Sequence, residues 1–103
     1  MTINAVTTTA LSGMQAQMTR LSATANNVAN VDTTGYSRLS AQFSTGPTGG
    51  VAAHVGEADP AQGADPAGDM LALTEASIGF SANAAVFETG ADLWQVLATI
   101  KRD

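Results

Sequence analysis

The chain has 103 residues, a net charge of −5 and no cysteine, so it has room for one domain and holds no disulfide or thiolate metal site. Its four basic residues, Arg20, Arg38, Lys101 and Arg102, form no patch able to neutralise phosphates, which argues against nucleic acid as a partner. The composition is 45% hydrophobic but only 5% aromatic, so the apolar fraction is mostly small. A domain of this size built from such residues is expected to gain stability from neighbours.

The spacing predicts a first helix from near Asn4 to near Asn30, about 40 Å long at 1.5 Å per residue. Its large apolar residues, Leu11, Met14, Met18 and Leu21, continue through Ala25 and Val28 with steps of three and four, the seam pattern of a coiled coil. The β-branched run Thr7-Thr8-Thr9 weakens the start, and the first two turns are expected to order only on assembly. Asn26, Asn27 and Asn30 run into Val31-Asp32-Thr33-Thr34-Gly35, where Asn, Asp and Gly favour a helix end and a turn. The three asparagines read either as that helix end or as a hydrogen-bond ladder between subunits.

From Tyr36 to Phe43, Leu39, Ala41 and Phe43 alternate with polar neighbours, as in a half-buried strand. Residues 44–50 form a turn cluster, and Val51–Val55 is expected to return as the second strand of a hairpin. An isolated two-stranded hairpin is marginal in water, so it must lie on the helices. Residues 56–68 read as an Asp/Pro/Gly-rich linker. Asp65-Pro66 then supplies an N-cap and a first helical residue for a second helix reaching about Arg102, about 55 Å if straight. Lys101 and Arg102 complement the negative end of its dipole.

This second helix has a seam of its own: Met70, Leu73, Ser77, Phe80, Ala84, Phe87, Ala91, Trp94, Ala98. Gly79 and Gly90, each costing about 1 kcal/mol relative to alanine, share a different face with Asn83, Val86, Leu93, Leu97 and Ile100. The expectation is that the large-residue seam closes the chain on itself while the glycine face receives a neighbouring subunit. The fold is therefore expected to be mainly α, an antiparallel coiled-coil pair of long terminal helices with a short β-hairpin and linker between. Its parts are an N-terminal helix and turn over 1–34, the hairpin and linker over 35–65, and a C-terminal helix over 66–103.

No combination of residues offers a catalytic site. His54 is the sole histidine and reads as a strand residue, and the acidic residues from Glu57 to Asp69 lack the alternation of a calcium loop. No metal, cofactor or enzyme activity is expected. No apolar run is read as long enough to span a bilayer, so no membrane insertion is expected. The opening Met-Thr-Ile-Asn-Ala-Val has neither the charged start nor the apolar core of a cleavable signal.

Two stretches carry a resemblance. Ala10-Leu11-Ser12-Gly13-Met14-Gln15-Ala16-Gln17, followed by Ala25-Asn26-Asn27-Val28-Ala29-Asn30 and Val31-Asp32-Thr33-Thr34-Gly35-Tyr36-Ser37-Arg38, resembles the N-terminal signature of bacterial flagellar rod and hook axial proteins. Asp69-Met70-Leu71, Glu75-Ala76-Ser77 and Phe80 to Val86 are similar to that family's C-terminal motif. The resemblance implies a structural subunit of the basal-body rod, polymerising through its terminal helices into a shaft that transmits torque. It further implies export by the flagellar type III apparatus without signal cleavage, a place in the periplasm-spanning rod, and partners among copies of itself and other axial proteins. The position along the rod stays open. Assembly residues on this reading are Leu11, Met14, Met18, Leu21, Asn26, Asn27, Asn30, Gly35, Tyr36, Gly79, Phe80, Asn83, Phe87, Gly90, Leu93 and Trp94. The alternatives are a small coiled-coil adaptor that does not polymerise and a shortened, non-functional rod paralogue.

Overall fold

The computed structural model describes residues 2–101, and Arg102, expected to close the last helix, lies outside them. Four elements follow in order: α1 (Ile3–Ala29), β1 (Leu39–Thr45), β2 (Val51–Glu57) and α2 (Pro66–Lys101). The molecule is a rod of 66 × 25 × 14 Å. Its radius of gyration is 17.7 Å, against about 13 Å for a compact domain of this length.

Local chemistry sets the ends of the helices. Thr2 caps α1 by accepting from the Ala5 N–H at 3.1 Å, and Asp65 caps α2 by accepting from the Gly68 N–H at 3.1 Å, with Pro66 the first helical residue. The threonine run is helical in the single chain, although its turns were expected to form only on assembly. The Thr7 hydroxyl donates back to the Ile3 and Asn4 carbonyls and so spends its polarity within the helix. Asn30 ends α1, its backbone N–H bonding to the Asn26 carbonyl at 3.1 Å.

The hairpin begins three residues later and ends two residues later than the alternation alone suggests. Its register pairs Leu39 with Glu57 and Thr45 with Val51, so Leu39, Ala41, Phe43, Val51, Ala53 and Val55 share one face. That face lies on α1, where Leu39 and Val55 line a shallow cleft with Met18 and Ala23. His54 and Gln42 pair on the opposite, outward face. Among the described residues the hairpin touches α1 but not α2. The turn end is pinned by Ser12, whose hydroxyl accepts from the Val51 N–H at 3.1 Å. A side chain at Gly50 would meet that hydroxyl and would also have to accept φ +84°.

The helix pair is antiparallel, with Thr7 beside Gly90, Gly13 beside Asn83, Gln17 beside Gly79 and Arg20 beside Glu75. The residues that close it are not those of the two large stripes. Ala10, Gly13, Ala16 and Ala23 of α1 are buried, as are Ala76 and Gly90 of α2. Ala10 is 3% exposed and Ala76 2% exposed. A Cβ on Gly13 would stand 2.6 Å from Asn83 Cγ, one on Gly79 2.7 Å from Gln17 Nε2, and one on Gly90 2.6 Å from Thr7 Cγ2. The helices therefore approach at a distance that only hydrogen leaves open at these three positions, and each glycine's helix cost is offset by contact with the facing helix. This corrects the expectation that the glycines receive another subunit: α1 of the same chain occupies the face at Gly79, Asn83 and Gly90, while Val86, Leu93, Leu97 and Ile100 stay exposed.

Candidate functional site

Where α1 stops and α2 starts, polar side chains join the three parts of the chain. Asn27 is buried, and its side-chain amide brackets the Leu39 backbone, donating to the carbonyl at 2.9 Å and accepting from the N–H at 2.7 Å. The same Asn27 oxygen accepts from the Tyr36 hydroxyl at 3.1 Å. Asn27 thus serves as a one-residue strand partner that starts the hairpin at Leu39. Asn30 donates to the Asn26 carbonyl at 3.0 Å and accepts from the Thr33 hydroxyl at 3.1 Å. Gly35, at φ +79°, turns the chain back so that Tyr36 can reach Asn27. Asn27 and Asn30 are therefore engaged within their own chain, as a helix end and strand anchor.

The clasp to α2 is a bidentate pair. Arg38 Nη1 donates to Asp69 Oδ2 at 3.0 Å, and Nη2 to Oδ1 at 2.8 Å, with Asp69 buried in the first turn of α2. The hydrogen bond to Asp69 raises the Arg38 pKa further above its already high value, against desolvation, so the guanidinium stays charged. The Arg38 carbonyl also accepts from the Ala58 N–H at 2.7 Å, which ties the outgoing strand to the incoming one. Beside this network lies a polar cleft of about 360 Å³ running from Asn30 to the 58–64 linker.

The large apolar residues point elsewhere. Leu11, Met18, Leu21, Phe80, Phe87, Leu93 and Trp94 are all exposed, Met18 at 56% and Trp94 at 60%, while Met14 is half-buried. Two shallow grooves run between the helices among them. One, near 290 Å³, holds Gln17, Met18, Leu21, Ser77, Phe80 and Ser81; the other, near 260 Å³, holds Ile3, Val6, Val86 and Leu93. Beyond Leu93 nothing in α1 lies alongside α2, so Trp94 to Lys101 runs on for about 12 Å past the first turn of α1.

Of the sixteen residues singled out from the sequence, then, the structure gathers Asn27, Asn30, Gly35 and Tyr36 at the corner, with Asn26 exposed beside them. It places Gly79, Asn83 and Gly90 in the seam within the chain. It leaves the large stripes on the outside.

Two features escaped sequence reading. The Arg38–Asp69 clasp joins residues 31 positions apart, and neither neighbourhood announces a partner. The inner seam left a trace: Ala10, Gly13, Ala16, Ala23, Thr24 and Asn27 each lie one or two positions before a member of the large stripe. Small residues score weakly as a hydrophobic pattern, so the larger stripe took its place.

One further expectation is corrected. By length and composition α2 is long and apolar enough to cross a membrane, containing an 18-residue window of mean hydropathy 1.3 that is only 6% buried in the structure. Alanines and scattered large residues reach this value together where no uninterrupted apolar run exists. The helix also carries Asp69, Glu75, Glu88 and Asp92.

Comparison with known proteins bears on the N-terminal part. Residues 8–36, the later turns of α1 and the corner, match the family described as flagella basal body rod protein. Over 37 residues the chain is 57% identical to the flagellar hook protein FlgE of Rhizobium meliloti (strain 1021), covering 36% of this chain and 9% of the hook protein. The chain thus spans less than a tenth of the length of that relative. The family match includes Asn27, Asn30, Gly35 and Tyr36, the residues that build the corner, so over this segment the chain is similar to flagellar rod and hook axial proteins.

Proposed function

We propose that the chain is a structural subunit of the flagellar basal-body rod. It assembles with copies of itself and with other axial proteins into the shaft that carries torque. The observation that carries this reading is the inversion of the helix pair, with alanine and glycine inside and leucine, methionine, phenylalanine and tryptophan outside. A monomer gains nothing from that arrangement, because its largest apolar groups stay in water. A polymer gains from it, because a sister helix can cover them. The family match over residues 8–36 supports the same reading.

Leu11, Met14, Met18, Leu21, Phe80, Phe87, Leu93 and Trp94 are the assembly surface on this proposal. The corner from Asn26 to Tyr36 fixes the angle at which that surface is presented. Many shallow contacts sharing a load resist shear without any one strong bond. The subunit reaches its place through the flagellar type III export apparatus, without signal cleavage, and resides in the periplasm-spanning rod without inserting into a membrane. It has no catalytic role and needs no cofactor.

Sedimentation of the purified full chain over a wide concentration range tests the assembly, and deletion in the cell tests the role. Concentration-dependent filaments, with a basal body that stops short and a loss of motility on deletion, are expected. A discrete monomer or dimer at every concentration, together with normal motility, would instead establish a non-polymerising adaptor.

A further inference from the structure

One buried polar atom in the helix pair lacks a partner. Gln17 Oε1 is shielded from solvent and accepts no hydrogen bond. Gln17 lines the groove of about 290 Å³ formed with Met18, Leu21, Ser77, Phe80 and Ser81. The groove is apolar on its flanks, open along one side and large enough for one aromatic side chain. A buried acceptor without a donor is costly, and the Gln17 amide gains one by swinging toward the groove, so a fitting occupant brings an N–H on an apolar body.

The same chain exposes such a group. Trp94 stands on the uncovered end of α2, 60% exposed and with no partner for its indole N–H among the described residues. Lys101 lies seven residues further along the same helical face. Arg20 and Arg38 are already engaged with Glu75 and Asp69, which leaves Lys101 as the uncommitted cation among the described residues. Across the groove the spacing repeats. Glu88 lies seven residues beyond Ser81 on the stripe Ser77, Ser81, Ala84, Glu88, exposed and without an ion pair among the described residues.

We propose that the Gln17–Phe80 groove receives Trp94 of a second copy of this chain, with the indole N–H meeting the Gln17 amide oxygen as that side chain swings into the groove. Lys101 of the second copy then meets Glu88 of the first. The two α2 helices run parallel, staggered by about 20 Å, the rise of the turns separating Trp94 from Phe80 and Ser81. Matched seven-residue spacings of ring to cation and groove to carboxylate select the parallel arrangement, because an antiparallel copy carries Lys101 away from Glu88. The contact is head-to-tail and uses different surfaces on the two copies. Repeated with a stagger it does not close on itself, which generates a filament. This inference rests on the proposed polymerisation and names one contact within it.

Trp94 is the sole tryptophan, so its fluorescence reports the contact directly. In a concentration series of the full chain, sedimentation and emission are followed together. As the protein assembles, emission is expected to shift to the blue and quenching by iodide to fall. Ser81→Phe, which fills the groove from an exposed position, and Trp94→Ala are each expected to raise the concentration needed for assembly about tenfold or more, with unchanged helix content by circular dichroism. Lys101→Glu is expected to weaken assembly and Glu88→Lys in the same chain to restore it. Assembly that proceeds with Trp94 emission unmoved, or that tolerates Ser81→Phe, overturns the contact and leaves the polymer standing. Failure to assemble at any concentration overturns both. A blue shift on addition of phosphatidylglycerol vesicles but none on self-assembly assigns Trp94 to a lipid surface and overturns the contact.

Discussion

At the corner, where α1 passes into the hairpin and α2 begins, side-chain amides, a tyrosine hydroxyl and an arginine–carboxylate pair satisfy one another at 2.7–3.1 Å. At the opposite end α2 runs past α1 with Trp94, Leu97 and Ile100 uncovered. The corner is complete within one chain, because hydrogen-bonding partners are supplied by segments the turn itself brings together. The far end is complete only if something else is added, because apolar surface has no local substitute for a neighbour. One end fixes shape and the other offers surface.

Substitutions should separate the two ends. The largest effect on the isolated chain is expected from Asp69→Ala, which leaves Arg38 unpaired in a mostly buried position. Breaking a buried pair costs about 3–5 kcal/mol, and the residual exposure of Arg38 puts this case near the lower bound, read as a fall in the denaturant midpoint. If stability hardly changes, the corner does not hold the chain together. Asn27→Ala follows, at about 2–3 kcal/mol for the loss of two backbone partners and the tyrosine. Its signature is early exchange of the Leu39 amide, since the hairpin loses its anchor.

Gly90→Leu sharpens the contrast along the seam. Because a Cβ there already meets Thr7, overpacking of about 1–3 kcal/mol is expected in the single chain. A variant that melted like the parent would return Gly90 to the outer surface. Glu75→Gln removes the exposed pair with Arg20 and is expected to cost under about 1 kcal/mol, shrinking further in salt. Smallest of all for the lone chain is Trp94→Ala, whose melting temperature should match the parent within error. Its effect belongs to assembly, and a large loss of monomer stability would show that the far end is not waiting for a partner.

Much of the candidate site could be read from the residue order. Asp65-Pro66 marked the start of α2, the alternation of Leu39, Ala41 and Phe43 marked the hairpin, and the Ala25–Arg38 run marked the corner. The assignment of faces could not be read in this way. Leu11, Met14, Met18 and Leu21 form the stronger apolar stripe, and a helix considered alone is expected to bury its strongest stripe. Whether it does depends on how near the second helix comes. Gly13, Gly79 and Gly90 leave the space that Asn83, Gln17 and Thr7 of the facing helix fill, so the helices close along their alanine and glycine rows and the large stripes turn outward. The Arg38–Asp69 clasp was hidden for a related reason: a charge reveals its partner only once the chain has turned back on itself.

What the sequence determined by itself was local: helix starts set by capping side chains, turns set by glycine and asparagine, strands set by alternation. Each of these depends on atoms a few bonds or one turn away. Which helix face lies inside, which acid meets which base, and which surface remains for another molecule were decided by the tertiary structure. Those outcomes depend on the distance between helices far apart in the chain, and that distance is set by the smallest side chains between them.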